Sequence, residues 1–530
     1  ANGNIQFVKS PLQMLYEVVM QLMVGKPGQL RTESQMLAMI KNHVQQAVEH
    51  RQYDFIANLA IHARTTMNVR TAPIVLVVEF AKALSDQRLP LARRRTELLH
   101  QLSGGMSVHA NVEIVKQLHR ELHDLEATIA ERTYPKMRAL VCDVIRRPDQ
   151  ITDLYAYALQ VFGGKNQVPL AVRRGVADAF NKFNEYGFAK YNGGSGALKL
   201  RDVMRIVHPV STSVEQGELF SRIMTDELAT PYTWETELSK NGQLSKAEQK
   251  TPTQLWTELV SSGKVGYMAL MRNLRNIHTS SLPKEVLREH VYNVIADPTH
   301  VAKSKQLPYD FKEAYNAVHH LDPLMGRALS TAMDYSVSNI PAMGERVWII
   351  VDFSGSMGGD GVETSAFSQA TYLAAVLLRA NHGTHKLAVT LFGTSALTLK
   401  DIDTSRSIVD LQSELQSYRR GSIAGSTEFH AALAQRDRLG FTPDTIIVLT
   451  DGEVNKFPYQ VIRNIAGSNV LKLTVNLSAA LTTPMSTHDG WFTMAGWDPA
   501  MFEWVPAMRE SRTVVDMLSQ PYKSVNKVNE

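Results

Sequence analysis

The sequence predicts a multidomain chain: an all-α helical array over residues 1–340, then a doubly wound α/β domain over residues 341–530. Three observations lead there. Before residue 340 or so, apolar residues recur at spacings of three and four, with almost no period-two alternation. Beyond it, short apolar runs rich in β-branched residues alternate with helical stretches. The first of those runs, Val347-Trp348-Ile349-Ile350-Val351, ends in the polar sequence Asp352-Phe353-Ser354-Gly355-Ser356.

Composition sets the outer bounds. A chain of 530 residues with 44% hydrophobic and 20% charged residues has ample core, and is neither disordered nor fibrous. The single cysteine, Cys142, precludes an internal disulfide framework, so a reducing, cytoplasmic setting is expected. The first residues lack the basic and apolar regions of a signal peptide, and no apolar run approaches 18 residues, so no membrane span is expected. Residues 341–530 carry 16 Lys+Arg and 19 Asp+Glu, a net of −3, which leaves +7 on the first 340. The helical part is therefore the better candidate for a polyanion and the α/β part for a metal.

In chain order, Leu12 to Met23, Met36 to Val48, Phe55 to Ile61, Ile74 to Leu84, Ala92 to Leu102, Val112 to Ala130, Ile151 to Phe162, Val168 to Asn184 and Leu255 to Val260 have helical periodicity. Short turn-rich links such as Arg147-Pro148-Asp149 separate them. The pattern is that of antiparallel helix pairs in a solenoid without a strict repeat length.

Two helical segments carry candidate ligand-binding residues. After the glycine-rich loop Asn192 to Gly196, the stretch Leu200 to Val207 should form a helix that Pro209 stops. Arg201, Arg205 and His208 fall at i, i+4 and i+7, opposite the stripe Leu200, Val203, Met204 and Val207. Lys190, Tyr191 and Lys199 flank the loop. A row of cations with an aromatic can hold phosphates and stack a base; it is equally the pattern of a solvated helix face. In Leu270 to His278, Arg272 and Arg275 lie off the apolar stripe of Leu270, Leu274 and Ile277. The stretch Arg64 to Pro73 mixes arginines with hydroxyls and an amide, and reads equally as inter-helix hydrogen bonding.

In the α/β part, strands are expected at Val347–Val351, Leu387–Phe392, Thr445–Leu449 and Leu471–Leu477, and helices at Glu363–Ala380, Ser407–Ser417 and Glu428–Arg438. The aromatic stretch after Trp491 should cover a sheet edge. In open α/β sheets ligands bind at the carboxyl ends of the strands. Asp352, Ser354 and Ser356 stand there, Thr427 opens a later helix, and Asp451 ends a second buried strand. This all-oxygen set suits Mg²⁺, or Mn²⁺, rather than zinc.

Asp-x-Ser-x-Ser, a loop Thr and a strand-end Asp, in that order, resemble the metal-ion-dependent adhesion site of von Willebrand factor A domains. The resemblance implies that Asp352, Ser354, Ser356, Thr427 and Asp451 hold a divalent cation, with a vacant position for an acidic partner's carboxylate. A helical array ahead of such a domain is similar to the Ro RNA-binding family with its TROVE domain. Arg64-Thr65, Arg70-Thr71-Ala72-Pro73, Lys190-Tyr191, Arg205 to Pro209 and Leu270 to Leu274 carry that likeness, which is closest to bacterial-type members.

It implies a ring of HEAT-like helix pairs that takes the single-stranded 3′ ends of misfolded non-coding RNA. Small Y RNAs would bind outside, and a 3′ exoribonuclease is an implied partner. Lys190 and His208 match family residues that contact RNA, while Gly193-Gly194-Ser195 stands where the family has an arginine; Lys199 or Arg201 could replace it. Two other readings are a protein-docking solenoid and a Mg²⁺-dependent phosphotransferase, the second lacking a histidine base within its motifs.

Overall fold

The computed structural model describes residues 7–21, 33–67, 69–103, 112–191, 198–230, 233–304, 306, 308–337, 340, 342–359, 365–383, 386–452, 470–477, 482–483, 490–495, 499–510 and 513–524. The loop Gly193-Gly194-Ser195 and Glu453 fall outside them. The chain forms two compact units. One comprises Ala1–Glu33 and Tyr232–Met517, the other Ser34–Pro231 and Leu518–Glu530. The helices after residue 232 pack in the unit that holds the α/β domain.

In that first unit the N-terminal strand β1 (Phe7–Val8) pairs antiparallel with β7 (Thr482–Thr483). The main sheet has β2 (Arg346–Asp352), β3 (Lys386–Phe392), β4 (Ala396–Leu399), β5 (Thr445–Thr450), β6 (Leu471–Asn476) and β8 (Trp491–Ala495), in the order β4-β3-β2-β5-β6-β8. All pairs are parallel except β3 with β4. β2, β5 and β6 are buried along nearly their whole length, β2 and β5 with continuous apolar centres and β6 with Lys472, Thr474 and Asn476 alternating with Leu471, Leu473 and Val475. One face packs Trp348, Ile350, Phe392, Ile446 and Val448 onto Phe429 and Leu433. The other meets the helix Ala366–Ala380, whose small residues permit close approach. Trp348 is accommodated because its Nε1 donates to Thr390 Oγ1 at 2.8 Å.

Several expected elements change. Trp491–Ala495 is itself the edge strand, with Trp491 and Met494 in the core. The short antiparallel β4 was not anticipated, since its four half-buried residues carry no full period. The helix expected over Glu428–Arg438 stops at Leu433, with a separate 3-10 turn at Arg436–Arg438. Leu270 to His278 splits into Tyr267–Arg272 and Leu274–Thr279 at the buried Asn273, whose side-chain amide donates to the Ala269 carbonyl at 2.8 Å. That side chain competes with the backbone for a helical acceptor.

The second unit is helical. Ile74 to Leu102 forms one helix, Ala72–Ser103, with Pro90 inside it, in place of the two expected. Met137–Val144 and Leu170–Ala179 pack closely at Gly175, where a Cβ would lie 2.5 Å from the Arg138 carbonyl oxygen. Leu200–Val207 packs against Asp149–Phe162 and Leu170–Ala179. The C-terminal segment docks here too: Ser524 Oγ donates to Asp143 Oδ2 at 2.8 Å, Tyr522 Oη donates to the same oxygen, and Lys136 Nζ donates to the Tyr522 carbonyl at 2.6 Å.

Candidate metal centre and nucleic-acid interface

The sheet order reverses at β2: its crossover leads to β3 on one side, while β5 joins on the other. That switch point opens a crevice above the strand ends. Asp352 closes β2 there with no exposed surface, and Asp451 follows β5 at 4% exposure. Asp352 Oδ1 accepts from the Ser354 backbone N–H at 2.9 Å, and Oδ2 accepts from Thr450 Oγ1 at 2.8 Å. Ser354 Oγ lies 3.1 Å from Ser356 Oγ, and Ser356 is exposed.

The loop carrying Thr427 is locked to this one. Gly355 N–H donates to the Gly425 carbonyl at 3.0 Å, and Glu428 N–H to the Gly393 carbonyl at 3.0 Å. Gly393 is obligatory, because a Cβ would sit 1.9 Å from the Ile423 carbonyl oxygen. Thr427 is buried at 4% exposure. The five expected residues thus converge on one sheet edge.

The donor set fits a hard divalent cation: two carboxylates, three hydroxyls, and neither nitrogen nor sulfur. Among the described residues no three His, Cys, Asp or Glu side chains form a metal-binding group. Burial, and after it the nearby Asp451, pushes the Asp352 carboxyl up to about 7. Two carboxylates in so dry a place favour a bound positive charge. Arg419 follows the helix Ile408–Ser417. Its guanidinium donates to the carbonyls of Phe353 (3.3 Å), Ser354 (2.9 Å) and Gly358 (2.6 Å) and lies 4.1 Å from the Phe367 ring centroid. It braces the Ser354 loop from behind, a role that motif spacing does not reveal. Arg420 is exposed. His430 Nδ1 lies 3.2 Å from Glu428 Oε2 on an exposed ring.

The expected phosphate-binding residues divide between the units. Lys190, Lys199, Arg201, Arg205 and His208 belong to the second, and Arg272 and Arg275 to the first. Lys190 ends the helix Glu185–Tyr191, exposed, with its Nζ 5.7 Å from the Tyr191 ring centroid. Lys199 precedes the next helix, its N–H donating to Asp202 Oδ2 at 3.0 Å, and is exposed. Arg205 is exposed, whereas Arg201 is half-buried with Nη1 3.7 Å from Asp226 Oδ2. His208 does not continue the helix face as its spacing suggested. It is exposed and caps the helix in the left-handed region at φ 49°, ahead of Pro209. In the first unit Arg272 is exposed, and so is Arg275, whose Nε donates to the Ala317 carbonyl at 3.1 Å.

Comparison with known proteins places these observations. A TROVE domain matches residues 224–333, and a von Willebrand factor type A domain matches residues 347–453. The first match contains Arg272 and Arg275 but begins after His208. Telomerase protein component 1 of Mus musculus is 32% identical over 96 residues, which is 18% of this chain and 3% of that protein. Its counterpart in Rattus norvegicus is 30% identical over the same length. The matched stretch thus spans only 3% of the length of these relatives. The crystal structure of the Ro (Rsr) protein of Deinococcus radiodurans is similar with a TM-score of 0.57 and 14% identity, covering 94% of this chain and 100% of that one. That likeness is one of fold.

Proposed function

We propose that the chain, in which a TROVE domain match precedes a von Willebrand factor type A match, belongs to the Ro family and is an RNA-binding scaffold for non-coding RNA quality control. The helical region holds the single-stranded 3′ ends of misfolded or structured RNAs, and small Y RNAs occupy a separate part of its surface. The observation that supports this best is the set of four exposed cationic or imidazole side chains, Lys190, Lys199, Arg205 and His208, flanking one loop-to-helix junction. Such groups contact phosphates and leave base identity unread, so binding is tolerant of sequence and sensitive to salt. No described helix is long and apolar enough to cross a membrane, and the cytoplasm is the proposed site of action.

The A domain would hold Mg²⁺, or Mn²⁺, through Asp352, Ser354, Ser356, Thr427 and Asp451, and the bound cation would supply a Lewis-acidic position for a carboxylate of an acidic protein partner. A 3′ exoribonuclease is a partner of the RNA-bearing form in this reading. Binding without catalysis is favoured over phosphoryl transfer, because His430, the histidine closest in sequence to the motif threonine, sits against Glu428.

The test compares a structured RNA bearing a single-stranded 3′ tail with the same RNA made blunt, across a salt series. Tail-dependent binding that weakens steeply with salt, and further in a Lys190→Ala/His208→Ala protein, is expected. Equal, feeble binding of both RNAs would overturn the proposal and favour the protein-docking solenoid.

A further inference from the structure

Within the second unit, beside the loop-to-helix junction just discussed, arginines converge on the start of the helix Asp149–Phe162. Arg64, at the end of the helix Tyr53–Thr65, is only 6% exposed. Its Nη2 donates to Gln150 Oε1 at 3.1 Å. The same oxygen accepts the backbone N–H groups of Arg146 at 2.8 Å and Arg147 at 3.1 Å. Three donors on one atom fix the amide's orientation. Gln150 is 1% exposed, and its Nε2, buried as well, has no hydrogen-bond acceptor. A buried donor of this kind calls for an acceptor that the described side chains do not supply.

The charges around this point are one-sided. Arg147, Arg146 and Arg70 act on Arg64 as like charges, Asp149 opposes them, and Asp153 acts on Arg147. Burial first, and those three arginines next, push the Arg64 guanidinium down to about 10. Asp149 is already engaged, accepting from Arg147 Nε at 3.0 Å. Arg147 is further held 5.2 Å from the Tyr191 ring centroid, so its position is set in advance. Lys182 adds a further cation, its Nζ donating to the Cys142 and Ile145 carbonyls at 2.7 and 2.6 Å, and it too feels Arg64 and Arg146. Asp143, whose charge acts on Lys182, accepts from Tyr522 and Ser524. Arg70 and Arg146 are exposed, so the cluster opens to solvent.

Four guanidinium groups, one engaged carboxylate and an unfilled buried amide donor make a place for an anion with several acceptor oxygens. We propose that Arg64, Arg70, Arg146, Arg147 and Gln150 bind a backbone phosphate of single-stranded RNA, at a site that adjoins Lys190 across the Tyr191 ring and does not use Lys199, Arg205 or His208. Guanidinium forks match phosphate oxygens in pairs, which lysine cannot do. The Gln150 amide would complete the cradle from its floor. This rests on the RNA-binding reading above. It extends that reading by a second point of attachment, so that a bound strand is held at two places and its direction is fixed.

Because Arg70 and Arg146 are exposed, Arg70→Gln/Arg146→Gln should fold normally; its unfolding temperature is measured first. A ten-nucleotide labelled single-stranded RNA is then titrated into the full chain by fluorescence anisotropy over a KCl series. Loss of two of the guanidinium groups that hold this one phosphate should weaken binding about tenfold and make the log–log salt slope shallower by at most about 0.7. Unchanged affinity and slope, with the unsubstituted chain binding well, would overturn this site and leave the RNA reading standing. If the unsubstituted chain binds no RNA, the broader reading falls, and the site is judged by pyrophosphate at matched ionic strength. A rise in unfolding temperature for the unsubstituted chain and none for the variant would support an anion cradle. Equal rises, or none in either protein, would overturn it.

Discussion

Thr450 Oγ1 donates to Asp352 Oδ2 at 2.8 Å, so the last residue of one central strand orients the carboxylate that ends its neighbour. The same hydroxyl accepts the Gly452 N–H at 3.1 Å, which ties the Asp451 turn to the same point. Thr450→Val keeps the shape and removes both bonds. The expected cost is about 1–3 kcal/mol in stability, together with a reduced rise in unfolding temperature on adding MgCl₂. A Thr450→Val protein with an unchanged magnesium response would show that this hydroxyl does not organise the site; Asp352→Ala should lose the response entirely.

Gly393 offers a steric test of the same centre. Gly393→Ala places a methyl group against the Ile423 carbonyl and pushes the Thr427 loop outward. Destabilisation of about 1–3 kcal/mol is expected. Calorimetric titration should show weakened magnesium binding, although no ligand has been altered. Retention of full affinity would mean that the loop adapts freely.

The sheet and the candidate cation-binding residues at its edge were legible because each is written locally. Val347–Val351 is continuously apolar, and Asp352, Ser354 and Ser356 follow it directly. Other features depend on partners remote in sequence. Arg419 reaches back 61 to 66 residues to the loop it braces, and Gln150 gathers Arg64 from 86 residues away. No periodicity encodes such meetings. The edge strand Trp491–Ala495 was misjudged for a related reason, since an aromatic run can cover a sheet or extend it and only its hydrogen-bonding neighbour decides. His208 has the spacing of a helix face, but Pro209 ends the helix one residue too early.

Arg205 and Arg201 should differ despite standing one turn apart. Arg205 is exposed, while Arg201 lies 3.7 Å from Asp226. Arg205→Gln is expected to reduce the salt slope of single-stranded RNA binding by about 0.7, and Arg201→Gln by less. Filter binding of one RNA at four salt concentrations decides; a larger change for Arg201→Gln would reverse the assignment.

His62 gives the helical unit a pH sensitivity. Burial pushes its imidazole down to about 3, from an ordinary value of 6.5. Above pH 6.5 both folded and unfolded forms are neutral and the group is silent. Below it the unfolded chain takes up a proton that the folded chain refuses, so stability falls by up to about 1.4 kcal/mol per pH unit until the folded value is reached. His62→Gln should therefore lose less unfolding temperature between pH 7 and pH 5 than the unsubstituted chain. Parallel losses in the two proteins would refute this.

Glu17 is fully buried, bonded to Lys9 Nζ at 2.7 Å, to Gln13 Nε2 at 2.9 Å and to Asn476 Nδ2 at 3.1 Å. Burial raises its pKa even so. Lys9→Met alone should cost about 3–5 kcal/mol by stranding the carboxylate, whereas Lys9→Met/Glu17→Leu should cost far less. Urea unfolding of both proteins measures the difference; equal costs would place the energy in the Asn476 bond.

The C-terminal docking onto Asp143 carries a consequence for biosynthesis. Tyr522 and Ser524 are 379 and 381 residues downstream of the aspartate they bond. At about 5–20 residues per second, a ribosome needs on the order of twenty to eighty seconds to deliver them. Throughout that interval the helices around Asp143 wait without these two hydrogen bonds, and residues made hundreds of positions later complete that part of the fold. Nascent chains stalled short of Leu518 should therefore present the helical unit in a looser, more protease-sensitive form than the released protein.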